Sequence, residues 1–529
     1  MAIRVIDDSK LQSIAVAIQG KGGGGQMTVD EMPGRIDALP TGGTTVKKAV
    51  NFYTFKGLAY SYTAEKAAAL TEMPEPPTIE GFTFQKWNGW TVEKIKTWLE
   101  NHDSGELSVG GLYVTTDGHT RIKMHLREPQ MASFPMPFCI QQMAGTVIID
   151  WGDGSAPETI TAAGIYSHLW QINEYPANVV IDIEYIPSGS TKLVLGRDLL
   201  NAGLFNEEKY YASCVTAFHF GSNIDIRNAS VGRSCSKLTE LNIPDGVTSI
   251  GNYAFQGCTN LALTVLPDGV TSIGGGAFQN CTNLALTVLP DGVTSISGDA
   301  FSGCTNLALT ALPDGITSIG GGAFNGCANL ALTVLPDGVT SIGQNVFNRC
   351  TNLALTVLPD GVTSIGGDAF YGCTNLALTV LPDGVTSIGD RAFQYCTNLA
   401  LTALPDGVTS IVQNAFNGCT NLALTALPDG ITSIGGGAFQ YCTNLALTAL
   451  PDGITRIGQN AFQNCKSLYI IDLTAFTNPQ SIPTLANTNA FQGIPTQAQF
   501  WVANQGMYDA FTTATNWSTY ANKFVNKGV

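Results

Sequence analysis

The sequence predicts a multidomain, mainly β protein whose second half is a solenoid. Eleven cysteines, from Cys235 to Cys465, recur every 23 residues, and the residues between them repeat almost unchanged. A regular repeat of about 20 to 50 residues is typical of solenoids, in which each unit buries its apolar side against the next. At 529 residues, the chain is also too long for a single hydrophobic core. An extended repeat surface favours binding over catalysis.

The chain begins with a predicted helical leader, residues 1–45. Leu11, Ile14 and Ile18 lie at helical spacing, and a run of glycines at 22–25 interrupts the pattern. Because so short an apolar stripe cannot build its own core, we expect it to dock onto another protein. The sequence shows neither a signal-peptide core nor an apolar run of about 18 residues. We therefore expect synthesis in the cytoplasm, without Sec secretion or membrane insertion.

Two domains are predicted between the leader and the repeats. Residues 46–128 combine strand-like runs with a helical stretch near 91–100, which indicates a small α+β domain with an aromatic core. Residues 129–230 carry several β-branched runs, which favour an antiparallel, immunoglobulin-like β-sandwich. A Trp-Gly-Asp-Gly run at 151–154 permits a tight turn, and turn chemistry explains Asp153 without a bound cation.

The predicted solenoid covers residues 231–495. Phe278 recurs every 23 residues as an aromatic column, and the cysteines form a second column. Equivalent residues on successive coils lie about 4.8 Å apart, which is longer than the Cβ separation in a disulfide. We therefore expect reduced, buried cysteines that act as small apolar side chains. The aromatic segment 496–529 is predicted to cap the open end of the solenoid.

Ten aspartates, from Asp245 to Asp452, form a further column at the Pro-Asp-Gly corner of each repeat. Ordinary turn preferences explain them, although a carboxylate column also suits a divalent cation such as calcium. The sequence has no C-x-x-C pair, and its five histidines are scattered. We therefore assign no metal ligand and no cofactor, and calcium is the one alternative left open.

The variable positions beside the phenylalanine column indicate a binding edge. Large side chains stand there although the scaffold does not need them: Arg349, Tyr371, Arg391, Tyr395 and Tyr441. Tyrosine and arginine are enriched in recognition surfaces, and tyrosine rings stack well on sugars. The alternative interpretation is neutral drift on a solvated edge.

Charge and motifs exclude several function classes. The chain has 26 Lys and Arg against 41 Asp and Glu, a net charge of -15, so nucleic acid and anionic membranes are poor partners. The sequence contains neither a G-x-S-x-G elbow nor an H-E-x-x-H helix, and the glycine run after Lys21 lacks the features of a phosphate loop. We predict that the protein is not an enzyme.

The repeat resembles the BspA-like leucine-rich repeats. Its first unit follows that family's pattern through Leu238, Leu241, Ile243, Phe255 and Cys258. Later units carry threonine where Leu241 stands, which leaves two registers open: either the strand shifts by one residue, or the threonines face inward. The family pattern favours the second register, which would expose a leucine column to a partner: Leu263, Leu286, Leu309, Leu332 and Leu355.

The Trp-Gly-Asp-Gly run resembles the polycystic-kidney-disease-type immunoglobulin-like domain. The order of a leader, an aromatic segment at 84–90, this sandwich and BspA-like repeats resembles phage and prophage tail-associated proteins. That resemblance implies a virion receptor-binding protein whose leader docks onto other tail proteins. The repeats would then contact a glycan or protein on the host surface, and the chain would be a homo-oligomer, a trimer by analogy.

Two other functions compete with this interpretation. A bacterial BspA-like cell-surface adhesin would carry the same repeats to a surface ligand. Such an adhesin is expected to have an export signal and an anchor, and neither is recognised in the sequence. A decoration of the virion would use the repeats only as a spacer.

Overall fold

The computed structural model describes residues 48–101, 106–126, 136–172, 174–195, 212–227 and 230–528. The predicted docking residues Leu11, Ile14 and Ile18 lie outside these ranges. Within the described ranges, no helix is both long enough and apolar enough to cross a bilayer.

The first described region is a four-stranded sheet with two helices. Its strand order is β2-β1-β4-β3, with β1 and β2 antiparallel and β1 and β4 parallel. Val50 and Phe52 of β1 pack with Ile95 into a small separate core. The elements are β1 (Ala49–Thr54), β2 (Gly57–Thr63), α1 (Ala64–Ala68), β3 (Phe82–Trp87), α2 (Val92–Asn101) and β4 (Glu106–Thr115). We call residues 48–116 the α+β domain.

Two packed sheets follow the α+β domain. Their strands are β5 (Thr120–Leu126), β6 (Met136–Gln142), β7 (Gly145–Asp150), β8 (Glu158–Ile160), β9 (Gly164–His168), β10 (Ala177–Pro187), β11 (Leu193–Leu195), β12 (Val215–His219), β13 (Ile224–Asp225) and β14 (Glu240–Asn242). One sheet has the strand order β14-β12-β5-β10-β7-β8, and the other has the order β13-β11-β6-β9. Phe138 and Trp151 meet edge to face in the core, with 5.5 Å between their ring centroids. Strand β5 lies within the predicted 46–128 segment but pairs in this sandwich.

The sandwich continues into the repeats without a break in the core. Strand β12 pairs in parallel with β14, which belongs to the first repeat. The buried apolar residues form one continuous cluster from Ile122 in the sandwich to Phe524 near the C-terminus. The repeat array is therefore anchored directly on the sandwich and does not depend on a linker.

Each repeat adds one coil with a two-residue parallel strand. Where neighbouring strands pair, Ser aligns with Ser and Ile with Ile, as in Ser249↔Ser272 and Ile250↔Ile273, except that Ser433 aligns with Arg456. The strands are Ser249–Ile250, Ser272–Ile273, Ser295–Ile296, Ser318–Ile319, Ser341–Ile342, Ser364–Ile365, Ser387–Ile388, Ser410–Ile411, Ser433–Ile434 and Arg456–Ile457 (β15–β24). The mainly β fold and the repeating parallel strands predicted from the sequence are confirmed.

Buried phenylalanine and cysteine columns hold the coils together. The rings of Phe301 and Phe324 stack with centroids 5.6 Å apart and an interplanar angle of 6°. The thiol of Cys281 donates to the backbone carbonyl of Phe255 at 3.0 Å, and the later cysteines repeat this bond. The cysteines of this column are free and buried. Burial raises the pKa of the Cys350 thiol well above its ordinary value, which keeps the thiol protonated.

The register favoured from the sequence is wrong. The leucines expected to be exposed, Leu263, Leu286, Leu309, Leu332 and Leu355, are buried. The threonines and the residues after them are exposed from Thr310 onward and half-buried in the two repeats before it, so the strand is shifted by one residue relative to the first repeat. Burying a leucine removes more apolar surface from water and leaves no hydroxyl to satisfy, which favours this register.

The C-terminal segment covers the last coil. Strands β25 (Ile470–Asp472), β27 (Gln499–Val502) and β28 (Phe524–Asn526) form a parallel sheet, while β26 (Thr484–Leu485) extends the repeat ladder. Helix α3 (Gln505–Thr513) and a 3-10 helix at 517–523 complete the segment. The ring of Phe491 ends the phenylalanine column and contacts Trp517 and Tyr520. Aromatic side chains therefore close the apolar end of the array.

Candidate binding surface

Three of the five candidate edge residues share one column. Arg349, Tyr395 and Tyr441 each directly precede the column cysteine of their repeat. All three are exposed, and the two tyrosines are 46% and 48% accessible to solvent. Tyr371 stands one position earlier in its repeat and is half-buried.

This column has a left-handed backbone. The φ angles of Arg349, Tyr395 and Tyr441 are +60°, +63° and +62°. Other repeats place glycine or asparagine there, the residues that adopt this conformation most readily: Gly257, Asn280, Gly303, Gly326, Gly372, Gly418 and Asn464. A larger side chain costs roughly 1 to 2 kcal/mol in this region. The fold therefore gains nothing from the backbone conformation of these three residues.

The structure brings two candidate tyrosines together. The rings of Tyr371 and Tyr395 meet edge to face, with centroids 5.6 Å apart and an interplanar angle of 83°. The Tyr395 ring also lies over Gly418 of the next repeat, where an added Cβ would be 2.7 Å from the ring. The two rings therefore form a small aromatic platform whose outer surface faces solvent.

Arg391 belongs to a second left-handed column, four residues before Tyr395. Its φ is +57°, and its guanidinium lies 3.0 Å from the carboxylate of Asp368 in the preceding repeat. Half of the arginine side chain is exposed, so this ion pair adds little stability. The pair leaves the guanidinium at the surface, available to a ligand.

Sequence reasoning missed Tyr253, which occupies the same position in the first repeat as Arg391 in its own. Its φ is +57°, its ring is exposed, and the ring lies over Gly276. The guanidinium of Arg233 is 5.4 Å from the ring centroid. A comparison of repeat positions that looked for large residues in glycine and asparagine columns would have found it.

The Trp-Gly-Asp-Gly turn has a structural explanation. The Asp153 carboxylate accepts from the backbone N–H groups of Ser155 and Gln171 and lies 2.9 Å from His168 Nε2. Burial alone would raise the pKa of Asp153, but these hydrogen bonds outweigh it and place the pKa well below its ordinary value. Among the residues that the structure describes, no group of three His, Cys, Asp or Glu side chains is arranged to hold a metal ion.

One short parallel strand per coil, a buried leucine column and a stacked phenylalanine column define a leucine-rich-repeat protein. A family model described as the BspA type leucine-rich-repeat region matches residues 225–354 and 340–469. The repeat region of this chain is therefore a BspA-type leucine-rich-repeat array. Proteins with such repeats are typically non-enzymatic adhesion or scaffold proteins.

Solved leucine-rich-repeat structures are similar to parts of this chain. The T. pallidum leucine-rich-repeat protein TpLRR is 35% identical, with 31% of this chain and 77% of that chain covered and a TM-score of 0.27. A leucine-rich cell-surface protein of Faecalibacterium prausnitzii is 26% identical, with 55% and 83% covered and a TM-score of 0.35. The pneumococcal vaccine antigen PcpA is 19% identical, with 58% and 76% covered and a TM-score of 0.37. A comparison with curated proteins gives no match.

Proposed function

We propose that this chain is an adhesion-type surface protein whose repeat array binds a ligand along the edge that carries Arg349, Tyr371, Arg391, Tyr395 and Tyr441. The observation that carries the proposal is the presence of tyrosine and arginine at left-handed positions that suit glycine. A strained, exposed aromatic residue contributes little to folding, which favours a role in recognition. The BspA-type repeat family supports an adhesion role.

The ligand class follows from the side chains of this edge. The Tyr371–Tyr395 platform offers a ring face and hydroxyl groups, which suit stacking on a sugar and hydrogen bonding to its hydroxyls. Arg391 adds a forked donor for a carboxylate or sulfate. We therefore infer a glycan or glycoprotein on a cell surface as the ligand.

The second candidate function for the same repeat array is host binding as part of a phage tail. The resemblance in the order of leader, sandwich and repeats favours it, and in that case Leu11, Ile14 and Ile18 would contact other tail proteins. The chain would then assemble as a homo-oligomer in the virion, and the repeats would contact the host envelope. Labelling intact bacteria and purified particles with an antibody against the repeats separates the two candidate functions.

The test of the binding edge replaces its two most exposed tyrosines with glycine, the residue found at this position in neighbouring repeats. In the double variant Tyr395→Gly and Tyr441→Gly, we expect binding of the full chain to a glycan array and to whole cells to fall at least about tenfold. The free energy of unfolding should stay the same or rise, because glycine relieves the left-handed strain.

Tyr469→Ala is the matched control, since Tyr469 is a half-exposed tyrosine outside the edge. This variant loses an equally accessible ring and should bind normally. Unchanged binding by the double glycine variant would exclude this edge, and an equal loss in the control would show a nonspecific effect of surface tyrosines.

A further inference from the structure

The face that carries the aspartate column is already an interface in the first three repeats. We number the repeats from Leu238, so that repeats 1, 2 and 3 carry Asp245, Asp268 and Asp291. Lys86 of the α+β domain lies between two of these carboxylates, with its Nζ 3.2 Å from Asp245 and 3.4 Å from Asp268. Lys94 reaches the third carboxylate at 3.7 Å. The α+β domain therefore contacts the column aspartates of three successive repeats.

Uncharged hydrogen bonds and close packing also form part of this interface. The side-chain amide of Asn88 donates to the carbonyl of Leu266 at 2.5 Å and accepts from the N–H of Asp268 at 2.7 Å. Gly110 of strand β4 lies against Val265, so closely that an added Cβ would be 2.3 Å from the valine methyl groups. The interface thus combines lysines, an amide and a glycine-bearing strand that accommodates a valine.

Among the residues that the structure describes, nothing covers the continuation of this face beyond repeat 3. Val334, Val357 and Val380 occupy the position of Val265 in repeats 5, 6 and 7, and they are 52%, 49% and 54% exposed. Asp337, Asp360 and Asp383 are the exposed aspartates of these repeats. The uncovered repeats 4, 8, 9 and 10 carry alanine at the valine position: Ala311, Ala403, Ala426 and Ala449. Valine thus occurs in two of the three covered repeats, repeats 2 and 3, and in one further run of three, whereas repeat 1 carries Asn242 there.

We propose that repeats 5–7 dock a second protein that presents lysines and a glycine-bearing β-strand, the chemistry with which the α+β domain covers repeats 1–3. Continuity with that interface supports the docking face. Charge complementarity supports the partner, because a carboxylate beside each valine favours lysine. A second copy of this chain is disfavoured because its net charge is -15 and its own α+β domain already occupies a repeat face.

The proposal concerns a different column from the tyrosine edge, so the two can fail separately. Tyr395→Gly with Tyr441→Gly should weaken glycan and cell binding and leave this docking unchanged. Substitutions of the valines and aspartates of repeats 5–7 should weaken this docking and leave glycan and cell binding unchanged.

The test uses the full chain and a cyclic β-hairpin peptide that carries two lysines beside a Gly-Gly strand. The matched peptide has glutamate in place of lysine. We expect the lysine hairpin to bind at least about tenfold more tightly than the glutamate hairpin in fluorescence polarisation at low salt. Val334→Ala, Val357→Ala and Val380→Ala together should weaken its binding several-fold, since they convert repeats 5–7 to the pattern of repeats 8 and 9.

Two aspartate triple variants locate the site. Replacing Asp337, Asp360 and Asp383 with Asn should abolish the preference for lysine, whereas the same changes at Asp406, Asp429 and Asp452 should leave it in place. Equal effects of the two triple variants, or equal binding of the two hairpins, would overturn the proposal. Sedimentation that shows self-association lost in the valine variant would also overturn it, because the occupant would then be a second copy.

Discussion

Repeats 2 and 6 are nearly the same in sequence and differ in what covers them. They differ at three of 23 positions, yet Val265 of repeat 2 lies under the α+β domain and Val357 of repeat 6 faces solvent. Their interiors are equivalent, with stacked phenylalanine rings 5.7 Å and 5.6 Å from the preceding ring. The interior therefore sets the coil, and the surface positions decide which partner each coil contacts.

The largest expected effect tests whether the two interiors are energetically equivalent. Phe278→Ala in repeat 2 and Phe370→Ala in repeat 6 should each lower the free energy of unfolding by about 3 to 5 kcal/mol, because both rings are fully buried. Urea unfolding followed by circular dichroism measures the loss. A much smaller loss in repeat 2 alone would show that the covering domain, and not the column, provides the stability of the early repeats.

Much of this interior could be predicted from the sequence, because a strict 23-residue period places equivalent residues in register. The buried positions of Phe278 and Cys281 follow directly from it. The register around Leu263 was not predictable in the same way, because the family pattern points Thr264 inward and a shift by one residue exchanges the faces. Only the packed neighbours decide between them.

The surfaces were predictable only in part. The edge residues Arg349, Tyr395 and Tyr441 stood out as departures from the repeat, although their left-handed backbone became visible only in the structure. The contact between Lys86 and Asp245 joins residues far apart in sequence, and no local pattern encodes such a pairing. Long-range docking of this kind depends on the complete fold.

The junction where the covered repeats begin should be more acid-sensitive than the uncovered repeats. His219 is buried beside Glu240, with Lys56 and Lys123 near it, and burial lowers its pKa to about 4. Between pH 6.5 and 4 the unfolded chain therefore binds a proton that the folded chain does not, so stability falls as the pH falls, by up to about 3 kcal/mol.

Unfolding measured from pH 7.5 to 4 should show this fall in the wild type and a flatter profile in His219→Asn. Hydrogen exchange locates the loss, and it should appear first at β12 and β14 and later in repeats 5–7. Parallel pH profiles for the two proteins would contradict the assignment of the proton to His219.

The smallest effect concerns the covering contact itself. Gly110→Ala should destabilise the docked α+β domain by roughly 1 to 3 kcal/mol, since the new methyl group would overlap the Val265 side chain. Val265→Ala in the same chain should restore much of the loss because it removes the overlapping methyl groups, whereas Val357→Ala should restore nothing because it leaves them in place. Hydrogen exchange at repeats 1–3 measures the protection that the docked α+β domain gives, and urea unfolding measures the change in the free energy of unfolding. If Val357→Ala rescues as well as Val265→Ala, the loss arises within strand β4 and the close approach between Gly110 and repeat 2 does not limit docking.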